Sequence, residues 1–193
     1  MTEKLYDQRG RRKYLTKGER KAFLAAAAQE KPEIRTFCNV LAYTGCRISE
    51  ALALKPESID QANGVIVYTS LKKRGRLHFR AVPIPKTLQK LLVQVHGLEA
   101  QGAQPKATKL WSWTRVTAWR HVKKVLKKAR LEGPHATPKG LRHGFGVAAI
   151  SSGVPLNLVQ RWLGHAHMST TAIYTHAIGD EERQIASRMW QPL

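Results

Sequence analysis

Glycine and proline fall at positions 97, 102, 105, 133, 134, 138, 153, 155, 164 and 179. Both residues end helices more readily than they continue them, so the second half of the chain is divided into short segments. Between those breaks, and before them, apolar residues return at helical spacing. Thr16 followed by Glu19 forms a capping box ahead of Phe23–Ala28, which predicts a first helix from about Lys17 to Gln29. Pro32 suits the start of a second helix, with Ile34, Phe37, Cys38, Leu41 and Ala42 on one face up to Gly45. A third is expected from Arg47 to about Leu54, and later ones at about 86–96, 114–131, 139–152, 155–163, 169–177 and 180–190.

One region departs from that period. Val65–Thr69 is a short β-branched run after Asn63-Gly64, and Leu77–Ile84 reads as a second strand, with the cationic tip Lys72-Lys73-Arg74-Gly75-Arg76 between them. The fold class is therefore mainly α with a small antiparallel β-sheet. Residues 1–13, with Lys4, Arg9, Arg11, Arg12 and Lys13, are expected to form a flexible basic arm, leaving 14–193 as one domain with no internal repeat.

Charge narrows the partner. The chain has 33 Lys plus Arg against 13 Asp plus Glu, a formal net charge of +20, which is self-repelling unless a polyanion such as nucleic acid neutralises it. No segment approaches the roughly 20 apolar residues of a spanning helix. With no signal-peptide pattern, and with Cys38 and Cys46 forming neither a CxxC pair nor a disulfide framework, a cytoplasmic, membrane-free protein is expected. The three aspartates, Asp7, Asp60 and Asp180, are widely spread, and His165, His167 and His176 lack flanking cysteine or carboxylate, so a metal site is not expected. In the helix near 114–131, Val116, Trp119, Val122 and Leu126 make an apolar stripe. Arg115, Arg120, Lys123, Lys124, Lys127 and Lys128 supply a cationic face suited to the DNA backbone, as do Arg74 and Arg76 in the hairpin tip.

Breaking a phosphodiester without a metal needs a nucleophile, cationic donors for the charge that develops on phosphorus, and an acid for the departing oxygen. Thr44-Gly45-Cys46-Arg47-Ile48-Ser49-Glu50 places an arginine just after a glycine turn, where its guanidinium can fork onto a phosphate. Lys139-Gly140-Leu141-Arg142-His143 opens a helix whose backbone N–H groups also favour anions. Leu163-Gly164-His165 follows, and then Thr171-Ala172-Ile173-Tyr174-Thr175-His176. Each residue alone has a plainer reading as a cap, a surface tyrosine or a salt-bridge partner. Those readings leave the ordered set unexplained.

In that order the four boxes resemble the signature of the tyrosine recombinases, the family of phage-type integrases, Xer resolvases and fimbrial-switch invertases, over roughly residues 14–180. The resemblance implies the tyrosine recombinase catalytic-domain fold and a site-specific recombinase that cuts and rejoins DNA without metal, ATP or another cofactor. Tyr174 matches the nucleophile that forms a 3′-phosphotyrosyl bond, Arg47 and Arg142 the phosphate clamp, and His165 the third-box hydrogen-bond donor. Glu50 matches the acidic residue that orients the first arginine. The hairpin lysine that protonates the departing 5′-oxygen is Lys72 or Lys73. Lys139 stands where the family commonly has histidine. Lysine is a cation at neutral pH and a poor base, so Lys139 reads as a phosphate-binding group, and His143 as a supporting hydrogen-bonder.

The partner implied is double-stranded DNA carrying specific paired sites, bound by a homotetramer that is a monomer off DNA. Ile178, Ile185, Met189 and Trp190 resemble the C-terminal helix that docks into a neighbouring subunit, and packing in cis stands beside that reading. Most members carry a core-binding domain ahead of the catalytic part, so the chain is expected to be either a catalytic fragment or a compact member like the fimbrial-switch invertases. Two other functions fit the residues: a catalytically inactive DNA-binding regulator or accessory protein, which the lysine at 139 leaves open, and a relaxing topoisomerase.

Overall fold

The computed structural model of the chain describes residues 5–71, 77–98, 109–176 and 186–190. Three helices open the fold: α1 (Lys17–Ala27), α2 (Pro32–Thr44) and the short α3 (Ile48–Ala51). The Thr16–Glu19 capping box forms as the sequence predicts, and Pro32 sits in the first turn of α2. Gly45 ends α2 in the left-handed region at φ 63°, and a Cβ there would stand 2.6 Å from the Phe145 ring and 2.9 Å from Leu163. Glycine is thus required twice over, for the backbone angle and for the space.

A three-stranded antiparallel sheet follows, in the order β1 (Ile59–Asp60), β2 (Val65–Leu71), β3 (Leu77–Pro83). The two long strands are those expected; the two-residue β1 is additional. In the register of β2 and β3, Ile66 lies opposite Val82 and Tyr68 opposite Arg80, all four buried. Among the described residues, α4 (Lys86–His96), α5 (Arg115–Lys128), α6 (Pro138–Ser151), α7 (Leu156–Leu163) and α8 (Met168–Ala172) follow. A 3-10 turn at Ile173–His176 continues α8, so the expected helix over 169–177 is split.

The main core gathers α1, α2, the inward face of the sheet, α4 and α5, with Phe23, Phe37, Leu41, Ile66, Leu92 and Leu126 buried in it. Each such side chain contributes about 1.5–3 kcal/mol by leaving water. Trp111 seals one edge, its ring edge-on to Phe37 and its Nε1 donating to the Glu33 carbonyl at 2.9 Å. A second cluster of Leu5, Tyr14, Val147, Val159, Leu163 and Tyr174 packs around α6 and α7.

Two expectations need correction. Residues 5–13 are not a loose arm, because Tyr6 bridges Arg12 in a small hairpin, Lys13 N–H donates to the Leu5 carbonyl at 2.7 Å, and Leu5 is buried. Asp7 organises the bend by accepting from the backbone N–H groups of Arg9 and Arg11. In α5 the buried face is Ala118, Val122, Val125 and Leu126, whereas Val116 and Trp119 are 58% and 45% exposed. The first turn of α5 projects beyond the core rim, where it meets the cleft described next.

Candidate active site

The motif residues converge on one open cleft of about 620 Å³. Arg47 and Ser49 enter it from the turn into α3, Lys139, Arg142 and His143 from the first two turns of α6, and His165 from the loop after α7; Arg115 and Trp119 of α5 form part of its rim. The first turn of α6 is fixed by Thr137, whose hydroxyl accepts from Gly140 N–H at 3.0 Å, and Lys139 is exposed at the mouth.

Arg47 is exposed but not loose. Its backbone N–H and its Nη1 donate to the two oxygens of Glu50 at 2.8 and 3.0 Å. Glu50 is shared with Arg80 of β3, whose Nη2 donates to Oε2 at 2.8 Å and Nη1 to Oε1 at 3.3 Å. Burial works to raise the pKa of Glu50, but Arg80 and then Arg47 outweigh it and hold the carboxyl below its ordinary range.

Arg142 is a buried cross-brace. Its Nη1 donates to the carbonyl of Gly45 at 2.8 Å and its Nη2 to that of Leu163 at 2.7 Å, joining the C-terminal ends of α2 and α7. Helix C-termini expose unpaired carbonyls at the negative end of the helix dipole, so a guanidinium satisfies both bonding and charge there. Burial, and then the like charge of Arg47, lower the Arg142 pKa to about 10, which still leaves it a cation at neutral pH. Two of its five donors are committed to the carbonyls, and the residue also lines the cleft.

Tyr174 is 1% exposed and is not part of the cleft wall. Its hydroxyl lies 3.2 Å from Nδ1 of His143. Its ring stacks on His165 with centroids 6.2 Å apart and planes 18° off parallel. The ring also rests on Gly146, where no side chain intervenes. Nδ1 of His165 is 2.9 Å from the Thr171 hydroxyl, which ties the loop after α7 to α8 and so to the turn that carries Tyr174.

The structure brings together Arg47, Glu50, Lys139, Arg142, His143 and His165, with Tyr174 directly behind the two histidines. Lys72, Lys73, Arg74 and Arg76 lie outside the described residues. The cationic face of α5 is smaller than its sequence suggests. Lys124 and Lys128 both pair with Glu30, and Lys123 donates to the Ala136 carbonyl at 2.7 Å. Arg115, Arg120 and Lys127 are exposed. Met189 and Trp190 are also exposed, at 77% and 71%, while Ile178 and Ile185 lie outside the described residues.

Sequence reasoning missed Arg80, and it read Trp119 as part of an apolar stripe, whereas Trp119 is exposed and lines the cleft. Arg80 shares its strand phase with Val82 and Ile84, both buried, and a period-two reading of that strand would have marked an arginine on the core face. Among the described residues, no group of three His, Cys, Asp or Glu is placed to hold a metal ion, and no helix is long and apolar enough to cross a membrane.

Residues 13–180 match the phage integrase family. The chain is 31% identical over 176 residues to tyrosine recombinase XerD of Pseudomonas aeruginosa, covering 85% of this chain and 57% of that protein. It is 30% identical over 187 residues to tyrosine recombinase XerA of Pyrococcus furiosus, covering 91% of this chain and 61% of that one. The chain thus spans about three fifths of the length of these curated relatives. A crystal structure of XerA recombinase superimposes with a TM-score of 0.76 at 26% identity, over 93% of this chain and 66% of the other. XerH site-specific recombinase bound to its difH substrate in a post-cleavage complex aligns with a TM-score of 0.68, over 93% of this chain and 53% of that one; at 22% identity the likeness is one of fold.

Proposed function

Since the chain belongs to the phage integrase family, we propose that it carries the strand-cleaving and strand-joining chemistry of a site-specific tyrosine recombinase, acting on double-stranded DNA through Tyr174. The observation that carries this reading is the single cleft walled by Arg47, Lys139, Arg142 and His165, with the Tyr174 hydroxyl held behind it by His143. Three cations and a histidine converging on one space suit a phosphodiester whose phosphorus becomes five-coordinate and more negative in the transition state.

In the reaction, the Tyr174 oxygen bonds to phosphorus and the bond from phosphorus to the 5′-oxygen breaks. Arg47, Arg142 and Lys139 neutralise the non-bridging oxygens, and His165 hydrogen-bonds one of them. His143 Nδ1, 3.2 Å from the phenol, is the group positioned to receive its proton. A hairpin lysine, Lys72 or Lys73, protonates the departing 5′-oxygen. The 5′-hydroxyl of a partner strand reverses the step, so the ester keeps the bond energy and neither ATP nor a metal ion enters the chemistry. Tyr174 must first leave its seat, because its ring faces Gly146 and His165 rather than the cleft. Four copies on two paired sites would complete the reaction. Exposed Trp119, Arg115, Arg120 and Lys127 form the flank along which the duplex would run.

The test is an SDS-resistant protein–DNA adduct. Purified protein and its Tyr174→Phe variant are incubated with labelled, nicked duplexes from the DNA flanking the gene, in EDTA. An adduct formed only by the unmutated chain is expected; equal adduct from both would remove Tyr174 as nucleophile. A second reading, a DNA-binding regulator without turnover, is favoured by the burial of Tyr174 away from the cleft. Binding without any adduct would select it.

A further inference from the structure

Arg80 is one of the most enclosed charges in the protein, with a side chain 3% exposed, and every group around it belongs to a different piece of the site. Its Nη atoms fork onto Glu50, which holds Arg47. Its Nε donates to the Trp162 carbonyl at 2.8 Å, one residue before the Leu163 carbonyl taken by Arg142. The turn at Gly164 lies against the Arg80 side chain, where a Cβ would come within 3.1 Å of its Cδ, and His165 is the next residue. The guanidinium carbon stands 4.5 Å over the ring of Tyr68, whose hydroxyl is 2.8 Å from that of Thr44, the last residue of α2, three positions before Arg47.

We propose that Arg80 is a positioning residue for strand transfer: it locks the Glu50–Arg47 pair, the turn that presents His165 and strand β3 into one fixed arrangement. This rests on the reading of the cleft as a DNA strand-transfer site. Stability alone does not account for Arg80. A buried ion pair gains little over apolar residues of the same shape, because desolvation of both charges offsets their attraction. What the fork supplies is direction: a planar guanidinium bonded on two edges and stacked on a ring fixes all its partners, which an ammonium or an apolar chain cannot do. The charged and titratable groups facing Glu50 are Arg47 and Cys46 from the loop before α3, Arg80 from β3 and Arg142 from α6. Removing Arg80 therefore leaves burial working against ionised Glu50 with less opposition.

Two variants, Arg80→Lys and Arg80→Met, are compared with the unmutated chain and with Glu50→Gln. Affinity for the nicked duplex is read by fluorescence anisotropy, and the rate of adduct formation at saturating DNA is read separately. The Glu50 carboxyl is followed by carbon-13 NMR across a pH series, its signal assigned by its loss in Glu50→Gln. Arg80→Lys should bind the duplex within about two-fold of the unmutated chain and form adduct on the order of 10- to 100-fold more slowly, since misplacement of about 1 Å costs that much. In Arg80→Met the Glu50 carboxyl should titrate at higher pH, and adduct formation should fall as pH drops through that value, a dependence absent from Glu50→Gln. A normal adduct rate in Arg80→Lys, or a deficit that lies wholly in DNA affinity, overturns the proposal. If Arg80→Met does not fold, Arg80→Lys carries the test through its rate of adduct formation at saturating DNA. If even the unmutated chain forms no adduct, the strand-transfer reading fails, and an unmoved Glu50 titration in Arg80→Met would separately refute the lock.

Discussion

Replacing Gly146 with alanine probes the resting position of Tyr174. An ideal Cβ at 146 falls 2.6 Å from Cε2 and Cζ of the Tyr174 ring and 2.7 Å from Cε1. Carbon atoms in ordinary contact stand about 3.5–4.0 Å apart, so the ring must withdraw by roughly 1 Å. It has little room, because His143 is bonded to its hydroxyl and His165 is stacked on it. Overpacking of this kind costs about 1–3 kcal/mol. Alanine in place of a mid-helix glycine returns about 1 kcal/mol, so the net loss is about 0–2 kcal/mol. For a domain of this size each kcal/mol moves Tm by about 2–4 °C, which predicts a fall of at most about 8 °C in a protein that remains folded. The informative readout is the tyrosine itself: nitration by tetranitromethane, mapped by peptide mass spectrometry, should rise at Tyr174 and not at buried Tyr68. Gly18→Ala is the control, since a Cβ there meets nothing within 4 Å. A folded Gly146→Ala protein whose Tyr174 is nitrated no faster than in the unmutated chain would refute the argument that this ring is seated on the glycine.

Arg142→Ala removes the donors to the Gly45 and Leu163 carbonyls and should cost about 2–5 kcal/mol in urea unfolding, with Arg142→Lys a poor rescue because one ammonium cannot span both; a loss below about 1 kcal/mol would contradict the brace. Glu19 also gives a pH prediction. Burial opposes its ionisation, but the Arg12 pair and the Thr16 backbone N–H win and bring its carboxyl to about 2 from 4.5. Its contribution is therefore fully present above pH 4.5 and is lost as pH falls from there through about 2, so Glu19→Gln should flatten the acid limb of stability in chemical denaturation at successive pH values. On duplex DNA, Lys127→Ala should lower the slope of log affinity against log salt by about 1, and Lys128→Ala by less, because Lys128 is already paired with Glu30. Equal slopes for the two variants would show that the pairing does not withhold Lys128 from phosphate.

The local geometry was legible where short-range chemistry decides it. Thr16 and Glu19 cap α1 by bonding to backbone groups three residues away, and Gly45 ends α2 because its φ of 63° suits glycine. The β-branched run at 65–69 and the strand ending near Ile84 pair as expected, and the order of the motif boxes, through its resemblance to the tyrosine recombinases, singled out Arg47, Arg142, His165 and Tyr174, the first three of which line one cleft. Those features depend on neighbours within a turn or on the order of residues along the chain.

Tertiary structure decided which charges are spent and which remain available. Lys124 is paired with Glu30, 94 positions away, and Arg80 enters the core because Glu50 and the Trp162 carbonyl meet it there, 30 and 82 positions away. The same holds for Leu5, buried by α6 and α7 although it lies in a basic stretch, and for Tyr174, whose hydroxyl is turned to His143 rather than to the cleft. A long cationic or aromatic side chain is amphipathic and can be satisfied in water, on a carbonyl or against a ring. Its own sequence neighbourhood does not choose among these. The choice is made by whichever carboxylates, carbonyls and glycine-lined hollows the fold brings from distant parts of the chain.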